Sequence, residues 1–188
     1  MQIADAQREM RAVHVGGFAG ATVSGLLWLV SAALTTWSLP RRGMGFLIIA
    51  GAFIFPLAVL LLRALGHRAT LSAENGLRGL AMQIAFTIPL AIPVILGATL
   101  YRKEWFYPAF MVIVGAHYLP FIFLYGMWQY SVIAAVLICA GIALGLTGLG
   151  GLAGGGWFTG AVLLAFAVPL RQVALSETQR GAGAPGVA

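Results

Sequence analysis

The chain has 188 residues, 61% of them hydrophobic and 9% charged, with a formal net charge of +6. Soluble domains carry about a quarter charged residues, and a water-soluble protein of this size needs a polar coat that this composition cannot supply. An ordinary soluble domain is therefore excluded, and hydrocarbon must surround the middle of the chain. The positive charge is not a nucleic-acid footprint. It sits in short clusters between apolar runs, which is the orientation signal of membrane proteins.

A short polar stretch with both charge signs, Asp5 to Arg11, opens the chain. Six apolar runs follow, at 15–37, 44–65, 79–101, 106–126, 128–148 and 156–175. Each is close to the roughly 20 residues that cross about 30 Å of hydrocarbon as a helix. They are too long and too continuously apolar for barrel strands. In lipid each run must satisfy its own backbone hydrogen bonds, which a helix does. The expectation is an all-α polytopic membrane protein: one six-helix transmembrane bundle over 1–175, then a disordered cytoplasmic tail at 176–188. The first run is longer than a secretion-signal core, and Thr36, Trp37, Ser38, Leu39 and Pro40 lack a small-residue cleavage pattern, so it is expected to stay in place.

With six crossings both termini share one side. That side carries Arg8, Arg11, Arg63, Arg68, Arg78, Arg171 and Arg180, against Arg41, Arg42, Arg102 and Lys103 opposite. The excess favours cytoplasmic termini. Trp37, Tyr101, Trp105, Tyr107 and Trp157 fall near the outer interface and Tyr125, Trp128 and Tyr130 near the inner one, where amphipathic rings prefer to sit. Trp28 falls mid-span, where it packs in the bundle or faces lipid. In the polar segment 66–77, Ser72 is placed to cap the third span. The glycine-rich stretch 148–156 reads as a flexible outer turn.

The second and fourth runs resemble each other. Residues 46–56 and 110–120 share Phe46/Phe110, Ile49/Ile113, Gly51/Gly115, Ala52/Ala116 and Pro56/Pro120. The sixth run echoes them weakly from Ala165 to Pro169. Two readings stand: three pseudo-repeated helical hairpins about an axis along the membrane normal, or the compositional likeness of Ala-, Gly- and Phe-rich membrane helices.

Ionisable groups within a membrane are costly and mark functional sites. Asp5, Glu9, Glu74, Glu104 and Glu177 all lie outside the spans, and Arg63 and Arg171 lie at span ends, where their stems can snorkel. His117 alone is both deep and titratable near neutrality. It reads as a proton relay, ligand contact or gate, or else as a structural residue bonded across to Gln83, Thr87 or a freed carbonyl. In the third span Pro89 and Pro93 share a face and should kink the helix, exposing carbonyls at mid-membrane. The candidate binding site is therefore Gln83, Thr87, Pro89, Pro93, His117 and Tyr118. Small residues at four-residue spacing mark helix-packing stripes: Gly16, Gly20 and Ser24, then Gly141 and Gly145, then Gly156 and Gly160. A homo-oligomer contact through them stays open.

Three scattered histidines and one cysteine give no zinc cluster. There is no phosphate-cradling loop, no nucleophile motif around Ser24 or Ser31, and no buried acid. Cys139 reads as a small buried hydrophobe. No cofactor, metal, catalytic residue or nucleic-acid partner is expected. The partners are the lipid bilayer and a small solute.

Residues Gly115 to Phe121, with the opening residues Met1 to Met10 and the stretch Trp105 to Phe110, resemble a family of uncharacterised bacterial multipass membrane proteins over most of the chain up to the sixth run. The resemblance implies a bacterial inner-membrane location and carries no activity. From the residues themselves, the leading reading is a small permease or channel-like protein for a neutral or weakly charged solute. The alternatives are a non-enzymatic membrane scaffold or assembly protein, and an intramembrane enzyme acting on a lipid with His117 as acid or base.

Overall fold

The computed structural model describes residues 1–182, with side chains through Ser176. The order is α1 (Ile3–His14), a 3-10 turn (Val15–Gly17), α2 (Phe18–Trp37), α3 (Pro40–Gly51), α4 (Ile54–Ala64), α5 (Leu77–Tyr101), a second 3-10 turn (Lys103–Trp105), α6 (Phe106–Tyr125), α7 (Gln129–Thr147) and α8 (Gly154–Ala182). Among the described residues there is no strand. The last helix runs on into the stretch expected as a tail, whose final residues, 183–188, lie outside the described residues.

Among the described residues five stretches are long and apolar enough to cross a bilayer, and α3 with α4 forms a bent pair that makes six if it counts as one span. The pair runs from one end of the bundle to the other. The start of α3 is tied to the far end of α2, where the Ser31 hydroxyl donates to the Gly43 carbonyl (2.8 Å). The segment after α4 returns to the opposite end of the bundle, where Asn75 donates to the Ala6 carbonyl of α1 (3.1 Å). The chain is an all-helical polytopic membrane bundle.

The second span is not the single helix that its hydropathy implies. It breaks at Ala52–Phe53, and its halves diverge by 65°. Pro56 has no amide hydrogen for the Ala52 carbonyl. The chain tightens instead into short-range bonds, Ala52 to Ile49 (3.2 Å) and Phe53 to Ala50 (3.0 Å). The look-alike stretch with Pro120 stays within continuous α6, and α5 runs unbroken through Pro89 and Pro93.

The first crossing helix starts at Phe18, later than expected, because an elbow precedes it. Val15, Gly16 and Gly17 all have positive φ (47°, 62° and 80°). This turns α1 away from α2 and lays it against the ends of α5, α6 and α8, with Ala6 and Met10 facing inward. A β-branched residue in this backbone region costs about 1–3 kcal/mol unless its surroundings impose it. Here they do. The Tyr130 hydroxyl of α7 donates to the Gly16 carbonyl (2.6 Å), and a Cβ on Gly17 would lie 2.2 Å from that hydroxyl.

Within lipid, helices do not associate to escape water, so close packing and interhelical hydrogen bonds hold the bundle. The core pairings are α2 with α8 and α6 with α7. At the first crossing, a Cβ on Gly160 would stand 2.9 Å from the Gly25 carbonyl oxygen; at the second, one on Gly141 would stand 2.9 Å from the Pro108 carbonyl oxygen. Gly156 lies as tightly against Tyr107 and Ala32, and Gly145 in ordinary contact with Pro108. Gly20 differs from the other small residues: nothing lies within 4 Å of its Cβ position. A buried polar latch ties α2, α3 and α6, with the Tyr107 hydroxyl bonded to Ser31 (2.6 Å) and Thr35 (2.8 Å).

Of the two places open to Trp28 the structure shows the one within the bundle, buried on Tyr107 and Phe110. Other aromatic and sulfur positions depart from expectation. Tyr107, Tyr125 and Tyr130 are buried rather than interfacial, because their rings pack within the bundle. Trp37 and Trp128 are exposed as an interfacial belt requires. Cys139 is exposed on α7 rather than buried.

Removing the Tyr130 hydroxyl should loosen the elbow modestly, and crowding it should break it. Tyr130→Phe is expected to cost about 0.5–1.5 kcal/mol. Gly17→Ala is expected to cost more than about 2 kcal/mol, through both its φ and the hydroxyl clash. Thermal unfolding in detergent followed by tryptophan fluorescence checks the order, which equal shifts for the two variants would contradict.

Candidate functional site: a cavity beneath the N-terminal helix

α5 packs on α6, α4 packs on α2, and neither α3 nor α4 packs closely on α5. The space between them is a cavity of about 470 Å³, within the size range of small-molecule sites. α2 and α6 form its back and α1 its roof, with Met10 and His14 turned into it. The break in the second span opens onto it through Gly51, Ala52 and Phe55. From Tyr125 to Phe110 the α6 wall covers about 22 Å at about 1.5 Å per residue, more than half the hydrocarbon thickness.

The wall is mainly apolar, with its polar atoms towards the α1 end. Tyr118, Tyr130 and Tyr125 form a stack, with ring centroids 5.8 Å and 5.5 Å apart. Tyr130 spends its hydroxyl on Gly16. Among the described residues the hydroxyls of Ser24, Tyr118 and Tyr125 have no protein hydrogen-bond partner, and all three residues line the cavity. His14 meets Tyr125 edge-on (centroids 6.4 Å apart). No Asp, Glu, Lys or Arg lines the cavity, and no three His, Cys, Asp or Glu side chains converge among the described residues.

His117 is oriented by its neighbour on α5. The Thr87 hydroxyl donates to the Ile84 carbonyl (2.7 Å) and lies 2.6 Å from His117 Nδ1. The Thr87 contact engages Nδ1, with the donor and acceptor roles set by the tautomer, and leaves Nε2 as the one polar ring atom for the cavity.

Of the six sequence-predicted site residues, Pro89, His117 and Tyr118 line the cavity, and Thr87 stands behind His117. Gln83 and Pro93 are exposed on α5 and do not line it. Two packing residues, Gly20 and Ser24, face the cavity as well. Sequence reasoning missed His14, Tyr125 and Tyr130. The signal for Tyr130 was the Gly16–Gly17 pair, a close-approach turn that needs a partner.

The roof is pinned at both edges. Gln7 Nε2 donates to the Phe123 carbonyl (2.5 Å), and Arg11 donates to that of Tyr125, so the last turn of α6 is satisfied by α1. On the other edge Glu9 accepts from the Ser72 amide (2.6 Å), the Ser72 hydroxyl (3.0 Å) and Asn75 Nδ2 (2.8 Å). Ser72 therefore grips Glu9 rather than capping α5. The side chain that accepts an amide at the start of that helix is Asn75, from Leu77 (2.9 Å).

This combination defines a multipass α-helical membrane protein with an intramembrane cavity under an amphipathic N-terminal helix. A model described as "Family of unknown function (DUF7010)" matches residues 3–172, and the chain belongs to that family. Comparison with curated proteins and with solved structures gives no match.

Hydrogen bonds from the Ser72 amide, the Asn75 side chain and the Ser72 hydroxyl hold the Glu9 carboxyl below its ordinary 4.5. A depressed carboxylate stabilises the folded contact fully above 4.5, and that contribution is lost as pH falls through the lower folded value. Hydrogen-exchange protection of residues 66–77 should therefore fall on acidification below 4.5, and Glu9→Gln should remove most of that pH dependence. Equal acid sensitivity in both proteins would contradict the clasp.

Proposed function

We propose that the protein is a small permease or channel-like protein that takes an uncharged solute into this cavity. One observation carries the reading: a single cavity is bordered both by a discontinuous span and by an oriented intramembrane histidine. Discontinuous helices and deep titratable side chains are where transporters build their binding sites. In this reading His117 and Tyr118 contact the solute, Thr87 positions the imidazole, and Pro89 shapes the α5 wall. The arginines at the α1 end, Arg8, Arg11, Arg63, Arg68, Arg78 and Arg171, favour termini in the cytoplasm of a bacterial inner membrane.

The test is solvent access at position 117. His117→Cys in a Cys139→Ala background should react with a small membrane-impermeant thiol reagent from one side of the membrane. Ala73→Cys, at an exposed position of the 66–77 segment, serves as the positive control. Reaction at the control alone, probed from both sides in a folded protein, would overturn the permease reading and favour a membrane scaffold. The orientation is read from the side on which Ala73→Cys reacts.

A further inference from the structure

The polarity of the cavity has a direction, and the direction matches one leaflet of a bilayer. Towards the α1 end stand the free hydroxyls of Tyr125, Tyr118 and Ser24 and the rings of His14 and His117. Deeper, the wall is Trp28, Leu47, Ile48, Ile92 and Phe110, with no polar side-chain group but the Trp28 indole N–H. A water-soluble solute has polar groups over most of its surface, and burying them against that deep wall costs free energy. A molecule with one polar end and one apolar end loses nothing.

The walls also offer such a molecule a way in. α5 packs chiefly on α6, with α1 and the Lys103–Trp105 turn at its ends. α4 packs on α2, and neither α3 nor α4 packs closely on α5, so the cavity is bordered there by helices that do not press on each other.

The chemistry of the polar end follows from its partners. Among the described residues no Asp, Glu, Lys or Arg lines the cavity to neutralise a phosphate, carboxylate or ammonium, its titratable groups being His14, His117 and the tyrosines, and burying such a charge unpaired is costly. His117 presents Nε2, a donor or an acceptor according to its tautomer, and the hydroxyls of Tyr118, Tyr125 and Ser24 can donate or accept. The matching group both donates and accepts, as a hydroxyl does.

We infer that the cavity binds an uncharged, hydroxyl-bearing amphiphile that enters sideways from the leaflet on the α1 side, with its hydroxyl among Tyr118, Tyr125, Ser24 and His117 and its chain towards Trp28 and Phe110. This rests on the reading of the cavity as a binding site and replaces a generic solute with a lipid-like one.

The probe is a sixteen-carbon primary alcohol bearing a diazirine near its far end, photolysed with the full-length protein in nanodiscs of uncharged lipid. Labelling should saturate and map to α2, α5 and α6. Unlabelled hexadecanol should compete with it, and hexadecane or palmitate should compete more weakly. Filling variants on opposite walls should abolish it: Gly20→Leu, whose Cβ position has open space around it, and Ala85→Leu. Either variant suffices if the other fails to fold. Tyr118→Phe with Tyr125→Phe should reduce the preference for alcohol over alkane by about fivefold. If glycerol or another small polyol protects these helices while hexadecanol does not, the amphiphile falls and the binding site stands. If no probe labels the cavity walls above the level of the filling variants, both fall.

Discussion

The hydroxyl of Tyr130, bonded to the carbonyl of Gly16, ties the elbow beneath α1 to α7 and so sets where the roof of the cavity lies. It fixes a turn in which three consecutive residues have positive φ, and that turn sends α1 across the end of the bundle instead of extending the first span into water. The same ring is the middle member of the tyrosine stack. One interaction therefore sets both the roof of the cavity and one of its walls. In hydrocarbon it has no competitor, because no water is at hand to satisfy either group.

The division of labour among the helices follows from how each is held. α2, α6, α7 and α8 meet through glycines and a buried hydroxyl latch, contacts that tolerate no added carbon without movement. The latch ties the start of α3 into this core as well, while α4 on α2 and α5 on α6 leave space between them. Hydrogen bonds donated by Gln7 and Arg11 and accepted by Glu9 bind the roof to both sides. The result is a closely packed core with α4 and α5 less closely packed on each other, and the cavity at their border. Binding surfaces and moving elements are commonly drawn from such less closely packed regions.

Fold class and the crossings were legible in the sequence because hydropathy is a property of composition over about 20 residues, which packing does not override. The break in the second span was not. Phe46–Pro56 and Phe110–Pro120 are alike residue by residue, yet one breaks and the other does not, and the difference lies in their neighbours. A Cβ on Gly115 would meet Ile138 at 2.7 Å, so α6 is pressed against α7 along its length; Gly51 has nothing within 4 Å. Proline destabilises both helices, and only tertiary contact decides which one gives way. For the site, His117 stood out because it is a titratable group alone in an apolar run. Tyr125 and Tyr130 did not, because a tyrosine near a span end serves equally well as an interfacial anchor or an inward-facing wall. Only the elbow, a feature of backbone dihedrals, turns them inward.

The pairing of α2 with α8 bears on how the chain is made. Crossing helices enter a membrane in the order of synthesis, so the first waits for its principal partner until the last has arrived. In the meantime Gly25 lies uncovered, and the halves of the second span, of 12 and 11 residues, are each too short to cross alone. Until α8 has entered, the glycine face of α2 and the two short halves of the second span lack the contacts that hold α2 in the finished bundle.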